Sequence, residues 1–582
     1  MRFKGGALVA GALTVALAAA GCSETTNNGG GDDAPQATTQ SGSISYEAAD
    51  NTGPAKAVDG ATKGGVLTVM QQADFEHLDP ARNYVNVQQL TGNLIYRSLN
   101  GYVEDGSGKM LLVGDLATNP GTDVNKDCKV WEYKLRDGLK YEDGSAISSK
   151  DVAYGIARSF AAELNEGPKY IQQWLYPGGA YNASYKGPYE GGQMPAGIET
   201  PDDKTIKFTF AAPHCDMPYA AALPTSAPVP QAKDTKGQYD LKPFSSGPYK
   251  VKSYTRDNAL ELERNPNWDA NTDPIRTAYP DTYKFTFGLD QQQIAERLVA
   301  DADADKASIT WGDTPPAVLP RTTGAGVAER VAKGPTQYVW YLGINNQRIK
   351  DKKIREALYY GLDRDAALKA IGGTSAGTPA STLMSPTTAG FEAYDAYNAP
   401  ATGDPAKVKE ILGGTTPPPL VLAHSNTPLR TAQAEAIRAS LVKAGFQVTL
   451  KAIEATSYYD EVGRKTTPFD LYLHGWGSDW PTGSTIIPPL YDSREIVDEG
   501  NQNLAYFAEP SIDAEIDRIK TLSAAEQDAA WMALDKKIMT EFLPEIPAYY
   551  DATHELFGSK VGNVYLSDAF GAIQLNKIYV KP

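Results

Sequence analysis

The long body of the chain, from Lys63 to Pro582, is the feature that most constrains the fold. About 520 residues are too many for one hydrophobic core, so two or more domains are expected. Stretches with strand-like and helix-like patterns alternate through the C-terminal half, which is typical of α/β layers. No apolar run in the body approaches the roughly 18 residues that indicate a membrane-spanning helix. We therefore predict a multidomain α/β body without a membrane span of its own.

The N-terminus has the layout of an export signal. Arg2 and Lys4 precede the uncharged run Gly5–Ala20, which is shorter than the roughly 20 apolar residues that a membrane span needs. The run ends in Ala19-Ala20-Gly21-Cys22, which resembles the box of a bacterial lipoprotein signal, although Ala19 stands where Leu is usual. The resemblance implies cleavage before Cys22, so that residues 1–21 are the signal peptide and Cys22 is acylated. The alternative is an ordinary secretory signal with an incidental cysteine.

Residues 22–62 are predicted to be a flexible tether behind that cysteine. They are rich in Ser, Thr, Asn, Gly, Asp and Ala, and such a segment buries too little apolar surface to fold. A coil of about 40 residues reaches roughly 35 Å, which suits a body held just off a membrane. The formal net charge of −16 becomes −18 without Arg2 and Lys4. Because no basic patch is present to neutralise phosphates, we expect no nucleic-acid partner.

The two remaining cysteines, Cys128 and Cys215, are candidates for a disulfide, since an exported chain meets an oxidising compartment. Cys128 precedes the strand-like KVWEYKLR (129–136), and Cys215 follows the strand-like KTIKFTF (204–210). If these strands pair antiparallel, the two cysteines are brought together. Closing the loop between them stabilises the fold by about 4 to 5 kcal/mol in the chain-entropy model. Two separate buried thiols are the alternative.

Several blocks in the body resemble one known family in their order along the chain. KVWEYKLRDGLKYEDGSAISSKDVAYGIARSF (129–160) is similar to the signature of family 5 solute-binding proteins of ABC transporters, the oligopeptide-, dipeptide- and nickel-binding group. The further matching blocks are SSGPYKVKSY (245–254), LERNPNWD (262–269), YLGINNQRIKDKKIREALYYGLDRDA (341–366), FDLYLHGWGSDWP (469–481) and LPEIPAYY (543–550). Together these blocks identify the chain as a member of that family.

The resemblance implies a two-lobed, periplasmic-binding-protein-like α/β fold of class II, in the large cluster with an extra subdomain. A ligand cleft lies between lobes that close as hinged rigid bodies. The implied domains are a first lobe from 63–100, 197–287 and 551–582, an inserted subdomain from 101–196, and a second lobe from 288–550. The implied partners are a peptide ligand and the permease subunits of an ABC importer. The protein is expected to be a monomer at the extracytoplasmic face of the cell membrane, attached to it only through the lipid.

The resemblance also assigns candidate ligand-binding residues. In peptide-binding members a W-x-x-D motif supplies an aspartate that pairs with the peptide ammonium group, and the matching residues here are Trp476 and Asp479. Some relatives carry an Arg three places before that Trp to meet a peptide carboxylate, but Leu473 stands there in this chain. Carboxylate capture must then come from elsewhere or be absent. Weaker candidates for the pocket are Tyr549, Tyr550, Tyr170 and Trp174.

Catalysis is the rival class of function. The five histidines form no H-E-x-x-H motif, and neither a G-x-S-x-G elbow nor a P-loop is present. The acidic DADAD (301–305) lacks the glycine and the glutamate of an EF-hand, so no metal or other cofactor is expected. A secreted hydrolase with a spatially assembled triad is the less favoured alternative. Within the binding class, the alternative cargoes are an oligosaccharide, a nickel chelate or an opine.

Overall fold

The computed structural model describes residues 42–104, 110–164, 166–178, 181–192 and 194–582. The predicted signal peptide, Cys22 and the first part of the predicted tether lie outside the described residues. The described residues form one compact unit. Its hydrophobic residues are buried in separate clusters, as expected for a chain too long for one core.

The strands carry alternating or continuous apolar residues, according to whether one or both of their faces are buried. In chain order they are β1 (Ser43–Ile44), β2 (Val66–Met70), β3 (Asn100–Glu104), β4 (Met110–Gly114), β5 (Thr122–Asp123), β6 (Val130–Lys134), β7 (Ile198–Asp202), β8 (Thr205–Thr209), β9 (Tyr249–Thr255), β10 (Ala259–Arg264), β11 (Thr282–Thr286), β12 (Ser308–Thr310), β13 (Val331–Ile344), β14 (Gly377–Pro379), β15 (Leu420–Ser425), β16 (Val448–Ile453), β17 (Leu471–Gly477), β18 (Ile546–Leu556), β19 (Val561–Gly562) and β20 (Tyr579–Val580).

The helices begin at polar caps in many cases, for example the capping box that Ser148 and Asp151 form. In chain order they are α1 (Asn86–Ile95), α2 (Ser149–Arg158), α3 (Tyr170–Leu175), α4 (Tyr181–Ser184), α5 (Met217–Ala220), α6 (Gln291–Ala300), α7 (Lys352–Gly361), α8 (Arg364–Lys369), α9 (Pro405–Leu412), α10 (Pro428–Lys443), α11 (Tyr458–Val462), α12 (Ile487–Tyr491), α13 (Pro510–Ile519) and α14 (Ala524–Lys537). Within the described parts of the chain, no helix is long and apolar enough to cross a membrane.

Three main sheets organise the molecule. The first lobe is built on a five-stranded sheet of order β12-β2-β11-β10-β9, and the second lobe on a six-stranded sheet of order β14-β18-β13-β17-β15-β16. The subdomain contains a four-stranded sheet of order β5-β6-β8-β7. The long antiparallel pair β13 and β18 extends beyond the other strands of the second-lobe sheet. Phe557, the residue after β18, then forms a β-bridge with Ile309 of the first-lobe sheet. These two strands therefore connect the lobes.

Two of the expected domain boundaries differ from the structure. The boundary expected at 196, between the subdomain and the first lobe, falls too early. Strand β8 pairs with β7 and with β6, and the core of the subdomain extends to Leu223. The boundary expected at 287 also falls too early, because β12 pairs with β2 in the first-lobe sheet. In both cases the extra strands complete a sheet whose other strands come from earlier in the chain.

The predicted tether is also shorter than expected. Residues from Gly42 onward pack on the body: β1 pairs in parallel with β4, and the buried Asn51 accepts a hydrogen bond from the Gly114 amide at 2.7 Å. Further along, Ala55 donates to the carbonyl of Asp273 at 2.8 Å. The polar composition that indicated a free coil instead supplies side chains for these specific hydrogen bonds. We call residues 42–58 the N-terminal segment.

The structure joins Cys128 and Cys215 in a disulfide, with their Cα atoms 4.9 Å apart. The neighbouring strands β6 and β8 pair antiparallel, with Val130 opposite Thr209. The start of one strand therefore lies beside the end of the other, which brings the two cysteines together. The bond ties the edge of the subdomain core to the chain that leads into α5.

Candidate ligand-binding site

The site is built on β17 and the loop that follows it. The first half of β17 is buried between β13 and β15, and the chain then leaves the sheet through the loop Ser478–Thr485, which carries Asp479. Gly475 and Gly477 lie opposite Trp340 and Tyr338 of β13. A Cβ atom at Gly475 would lie 2.9 Å from the Trp340 ring, and one at Gly477 would lie 2.7 Å from the Tyr338 ring. The two glycines therefore let these aromatic rings lie across the end of β17.

Asp479 is surrounded by tyrosine hydroxyl groups. Tyr170 of the subdomain donates a hydrogen bond to its carboxylate. Burial raises the pKa of Asp479, whereas hydrogen bonds from Tyr170 and Tyr84 oppose that rise. The charge of Asp479 in turn adds to the effect of burial in raising the pKa of Tyr338. Among the described residues, no Lys, Arg or His forms an ion pair with this carboxylate, so it is a half-buried acid that lacks a cation.

Trp476, the other residue of the W-x-x-D motif, holds the loop in place. Its indole N–H donates to the carbonyl of Thr485 at 2.8 Å, which closes the loop around Asp479. The side chain packs at the edge of the second-lobe core. Trp476 thus supports the loop, and the carboxylate of Asp479 faces Tyr170 of the subdomain.

The four weaker candidates separate into two groups. Tyr170 meets Asp479, but Trp174 stacks on His214 with 4.5 Å between ring centroids and packs against the subdomain core. Tyr549 stacks on Trp340 at 6.1 Å between ring centroids. Tyr550 points to the opposite face of β18, as the alternation of a strand requires, and accepts hydrogen bonds from the amides of residues 381 and 382. Tyr170 and Tyr549 thus lie with the site. Tyr550 packs within its own lobe, and Trp174 packs against the subdomain core and Trp480, at 6.5 Å between ring centroids, without reaching Asp479 itself in the described contacts.

Arg430 is a site residue that the sequence did not indicate. It lies in the first turn of α10, with its guanidinium carbon 3.4 Å from the centroid of the Trp340 ring. One guanidinium nitrogen donates to the Tyr549 hydroxyl at 2.9 Å and to Gln433 at 2.7 Å. In the part of the chain that the structure describes, no carboxylate forms an ion pair with Arg430. A guanidinium group held flat on an indole ring with free N–H groups can bind a carboxylate in two-pronged fashion.

Asp551 is a second acid of the site and lies on β18. The Thr336 hydroxyl donates to it at 2.9 Å. Burial, and next the charge of Asp313, raise its pKa to about 7, although Arg430 acts in the opposite direction. Asp551 is therefore partly protonated near neutral pH. Asp551, the acid that acts on Arg430 electrostatically, is thus only partly charged and neutralises the guanidinium group incompletely.

Tyr84 was also missed by the sequence analysis. It lies two residues before the start of α1 and is 38% exposed, with no motif around it. Arg430 at least follows a recognisable helix start, since Thr427 accepts a hydrogen bond from its amide. Neither residue carries a local signal that connects it with Asp479, because the fold brings both to the site from other segments of the chain. Among the described residues, no cluster of three metal-ligating side chains is found.

Comparison with known proteins agrees with this architecture. The model of the bacterial extracellular solute-binding proteins, family 5 Middle, matches residues 112–498. The periplasmic oligopeptide-binding protein OppA of Salmonella typhimurium is 24% identical over 560 residues, which cover 90% of this chain and 96% of that protein.

Solved structures extend the comparison. A protein described as clavulanic acid biosynthesis oligopeptide binding protein 2 is 30% identical with a TM-score of 0.82, covering 90% of this chain and 96% of that one. The Escherichia coli murein tripeptide binding protein MppA has a TM-score of 0.67 at 21% identity, covering 89% and 99%, and supports the fold alone. The fold is the two-lobed α/β fold with a cleft between the lobes, and the family consists of proteins that bind substrates. Because the family model spans more than half of the sequence, this chain belongs to the bacterial extracellular solute-binding proteins of family 5.

Proposed function

We propose that this protein is the lipid-anchored, extracellular binding component of an ABC importer, and that it delivers short peptides to the permease as a monomer. The export signal and the Cys22 box support the anchored location. Relatives that are named for oligopeptide binding support the cargo class. The site residues support a peptide with free ends.

The observation that carries the proposal is the half-buried carboxylate of Asp479, which has tyrosine hydroxyl partners and, among the described residues, no cation. An ammonium group that enters this position forms a charge-assisted hydrogen bond in a place screened from water, where such bonds are strong. Binding an ammonium group also returns the pKa of Asp479 towards its ordinary value, since a nearby positive charge favours the ionised form. The free N-terminus of a peptide is such a group.

The other end of the peptide meets Arg430 in this proposal. Leu473 removes the arginine that some relatives use, and Arg430 is the guanidinium group that lies on the aromatic floor of the site. Its position is fixed by Trp340, Tyr549 and Gln433, so little side-chain entropy is lost when it binds a carboxylate.

The register of the sheet suggests the length of the cargo. Arg430 lies over Trp340, which pairs with Gly475, and Asp479 lies four residues beyond Gly475. At about 3.4 Å per extended residue, the backbone from Gly475 to Asp479 spans at most about 14 Å, and we take this span as the approximate separation of the two charged groups. An extended peptide of roughly two to four residues spans that gap. We therefore propose di- to tetrapeptides as the cargo.

The first experiment is native mass spectrometry of the full chain, expressed for export and purified in mild detergent, followed by fragmentation of the released ligand. A set of short peptide masses is the expected result. Calorimetry with trialanine, N-acetyl-trialanine and trialanine amide then tests each end separately. A single sugar or metal-chelate mass, with no peptide binding, would contradict the proposed cargo while leaving the fold and family intact.

Asp479→Asn tests the ammonium end. We expect it to weaken trialanine binding by about 2–3 kcal/mol, because the amide keeps the shape of the side chain but lacks its charge. N-acetyl-trialanine should bind both forms equally weakly. Asp303→Asn, in an exposed acidic turn, is the matched control and should bind as the original does. Equal affinity of Asp479→Asn and the original for trialanine would remove the ammonium role.

Arg430→Gln tests the carboxylate end. Binding of trialanine should fall about tenfold or more, whereas binding of trialanine amide should change little, since the amide has no charge to lose. Arg438→Gln lies on the same helix, at the surface beside Glu435, and serves as the control. If the two ligands lose affinity in the same proportion, Arg430 supports the site without contacting the carboxylate.

A further inference from the structure

The loop Ser478–Thr485, here called the latch loop, joins the two lobes through the residue after Asp479. Trp480 is only 2% exposed and lies in the buried cluster of the subdomain. Its ring centroid is 4.4 Å from that of Tyr170 and 6.2 Å from that of Tyr219. Among the described residues, the other buried members of this cluster lie between Leu99 and Leu223. Trp480 is thus a side chain of the second lobe that is buried in the core of another unit.

The latch loop holds Trp480 in a fixed relation to Asp479. The indole N–H of Trp480 donates to the Ser484 hydroxyl at 3.1 Å, and its carbonyl accepts from the Thr482 amide at 2.7 Å. Trp476 closes the loop from the other side through Thr485. A movement of Trp480 out of the subdomain would therefore carry Asp479 away from Tyr170 and Tyr84.

The N-terminal segment forms the other wall of this contact. Gly42 donates to the Met110 carbonyl at 2.8 Å, and its own carbonyl accepts from the Tyr219 hydroxyl at 2.8 Å. A side chain at Gly42 would overlap the ring of Pro481 in the latch loop. Gly42 therefore touches both the subdomain and the second lobe at the point where they meet.

We propose that Trp480, supported by Gly42 against Pro481, holds the second lobe on the subdomain when no ligand is present and so positions Asp479 under the tyrosines of the other lobe. The part of this inference that concerns Asp479 rests on the proposed function, whereas the contact between the lobes does not. A Trp side chain buries about 200 Å² of surface, so its insertion biases the equilibrium between open and closed lobes. A ligand that needs the closed form then binds with an apparent affinity set by the closed fraction.

Hydrogen exchange of the full chain, stripped of ligand by unfolding and refolding, tests the contact without any ligand. In Trp480→Ala we expect faster exchange in three segments, namely α3, α5 and the latch loop. Exchange in β9 and β10 of the first-lobe sheet should stay unchanged, which separates opening from general destabilisation. Trp480→Phe should show a smaller effect. Tyr46→Ala, an aromatic truncation at an exposed position of the N-terminal segment, is the control and should show none.

A pair of glycine substitutions gives an independent test. Gly42→Ala and Gly60→Ala both place a side chain at positive φ, at 91° and 74° respectively. The added methyl group overlaps Pro481 in the first case and meets no atom within 4 Å in the second. Faster exchange in the latch loop for Gly42→Ala alone supports the proposal. Equal behaviour of the two variants would overturn the role of Gly42.

Calorimetry with trialanine then links the contact to binding. We expect Trp480→Ala to bind about 10- to 100-fold more weakly than the original. The ratio of its affinities for trialanine and N-acetyl-trialanine should fall as well, because Asp479 is no longer held in place. Unchanged exchange in α3, α5 and the latch loop of Trp480→Ala would overturn the proposal. A chain that binds no peptide would refute the proposed function, while the exchange result would still decide whether Trp480 holds the lobes together.

Discussion

At the scale of single residues, the site is characterised by acids whose pKa values are raised by burial. Asp479 and Asp551 belong to this group, and for Asp551 the pKa rises to about 7. Keeping such groups in the folded protein costs stability, because an ionised carboxylate is better solvated in the unfolded chain. This loss of stability is expected for a carboxylate that binds a ligand. If the protein itself supplied a cation for the carboxylate, a positively charged group of the ligand would gain little by binding there.

Replacing Asp551 with Asn should therefore stabilise the protein in a pH-dependent way. The folded pKa lies above the unfolded value of 3.8, so Asp551 is neutral and harmless below pH 4; its destabilising effect grows from there and is complete once pH passes 7. Asp551→Asn should be more stable than the original by roughly 1–3 kcal/mol at pH 8 and nearly equal to it at about pH 4. Melting curves at the two pH values measure this. Asp303→Asn, at an exposed position, should show no pH-dependent change in stability. If Asp551→Asn gains the same stability at both pH values, the explanation by titration of Asp551 is contradicted.

At the scale of elements, strand β17 combines a buried apolar half with glycines at its open end. The apolar half fixes the strand in the sheet, and the glycines let the Trp340 and Tyr338 rings lie flat across it. Arg430 in turn rests on Trp340. The glycines of β17 thus leave room for an aromatic surface, to which β13 contributes Trp340 and Tyr338 and α10 contributes Arg430.

Gly475→Ala should disturb this surface. The added methyl group meets the Trp340 indole at 2.9 Å, so the ring must move or the two strands must separate. We expect a loss of about 1–3 kcal/mol in the free energy of unfolding, as for other overpacked sites. Gly334→Ala in β13, where the new methyl meets only a Leu566 side-chain atom at 3.2 Å, is the control and should lose less. Chemical denaturation compares the two variants, and an equal loss in both would argue against the contact with Trp340.

Elements with a strong local pattern could be predicted from the sequence, whereas their assembly could not. The strand-like stretches 129–136 and 204–210 appear as the antiparallel pair β6 and β8. The loop with Asp479 could also be found, because a family motif marks it. Arg430 and Tyr84 could not, since their importance comes from tertiary contacts. For the same reason the order of the N-terminal segment was missed, because Asn51 is buried by a partner at Gly114.

At the scale of the whole molecule, two carboxylates face each other where the lobes meet. Asp216 precedes α5 of the subdomain and Asp528 lies on α14 of the second lobe, and each pKa is raised to about 6, mainly by burial. The charge of Asp216 adds to the rise at Asp528, whereas the Ser484 hydroxyl and Lys520 lower the pKa of Asp216. His214, in the same interface, has a pKa of about 4 and stays neutral above pH 5. The two acids therefore take up protons when the contact forms, whereas His214 releases one below about pH 6.5.

The association of the lobes should consequently weaken as pH rises. Because both acids have raised pKa values in the contact, their contribution to its stability is fully present below pH 4 and is lost as pH rises through 6. His214, with its lowered pKa, acts in the opposite direction as pH falls below 6.5, so it offsets part of this effect without reversing it between pH 5 and pH 8. The ligand-free protein should show a larger radius of gyration by X-ray scattering at pH 8 than at pH 5. Asp528→Asn removes one of the two charges and should reduce this change, favouring contact by about 1 kcal/mol at pH 8, whereas Asp303→Asn should not. A pH response that persists in full in Asp528→Asn would place the responsible group elsewhere in the interface, with Asp479 as the next acid to test.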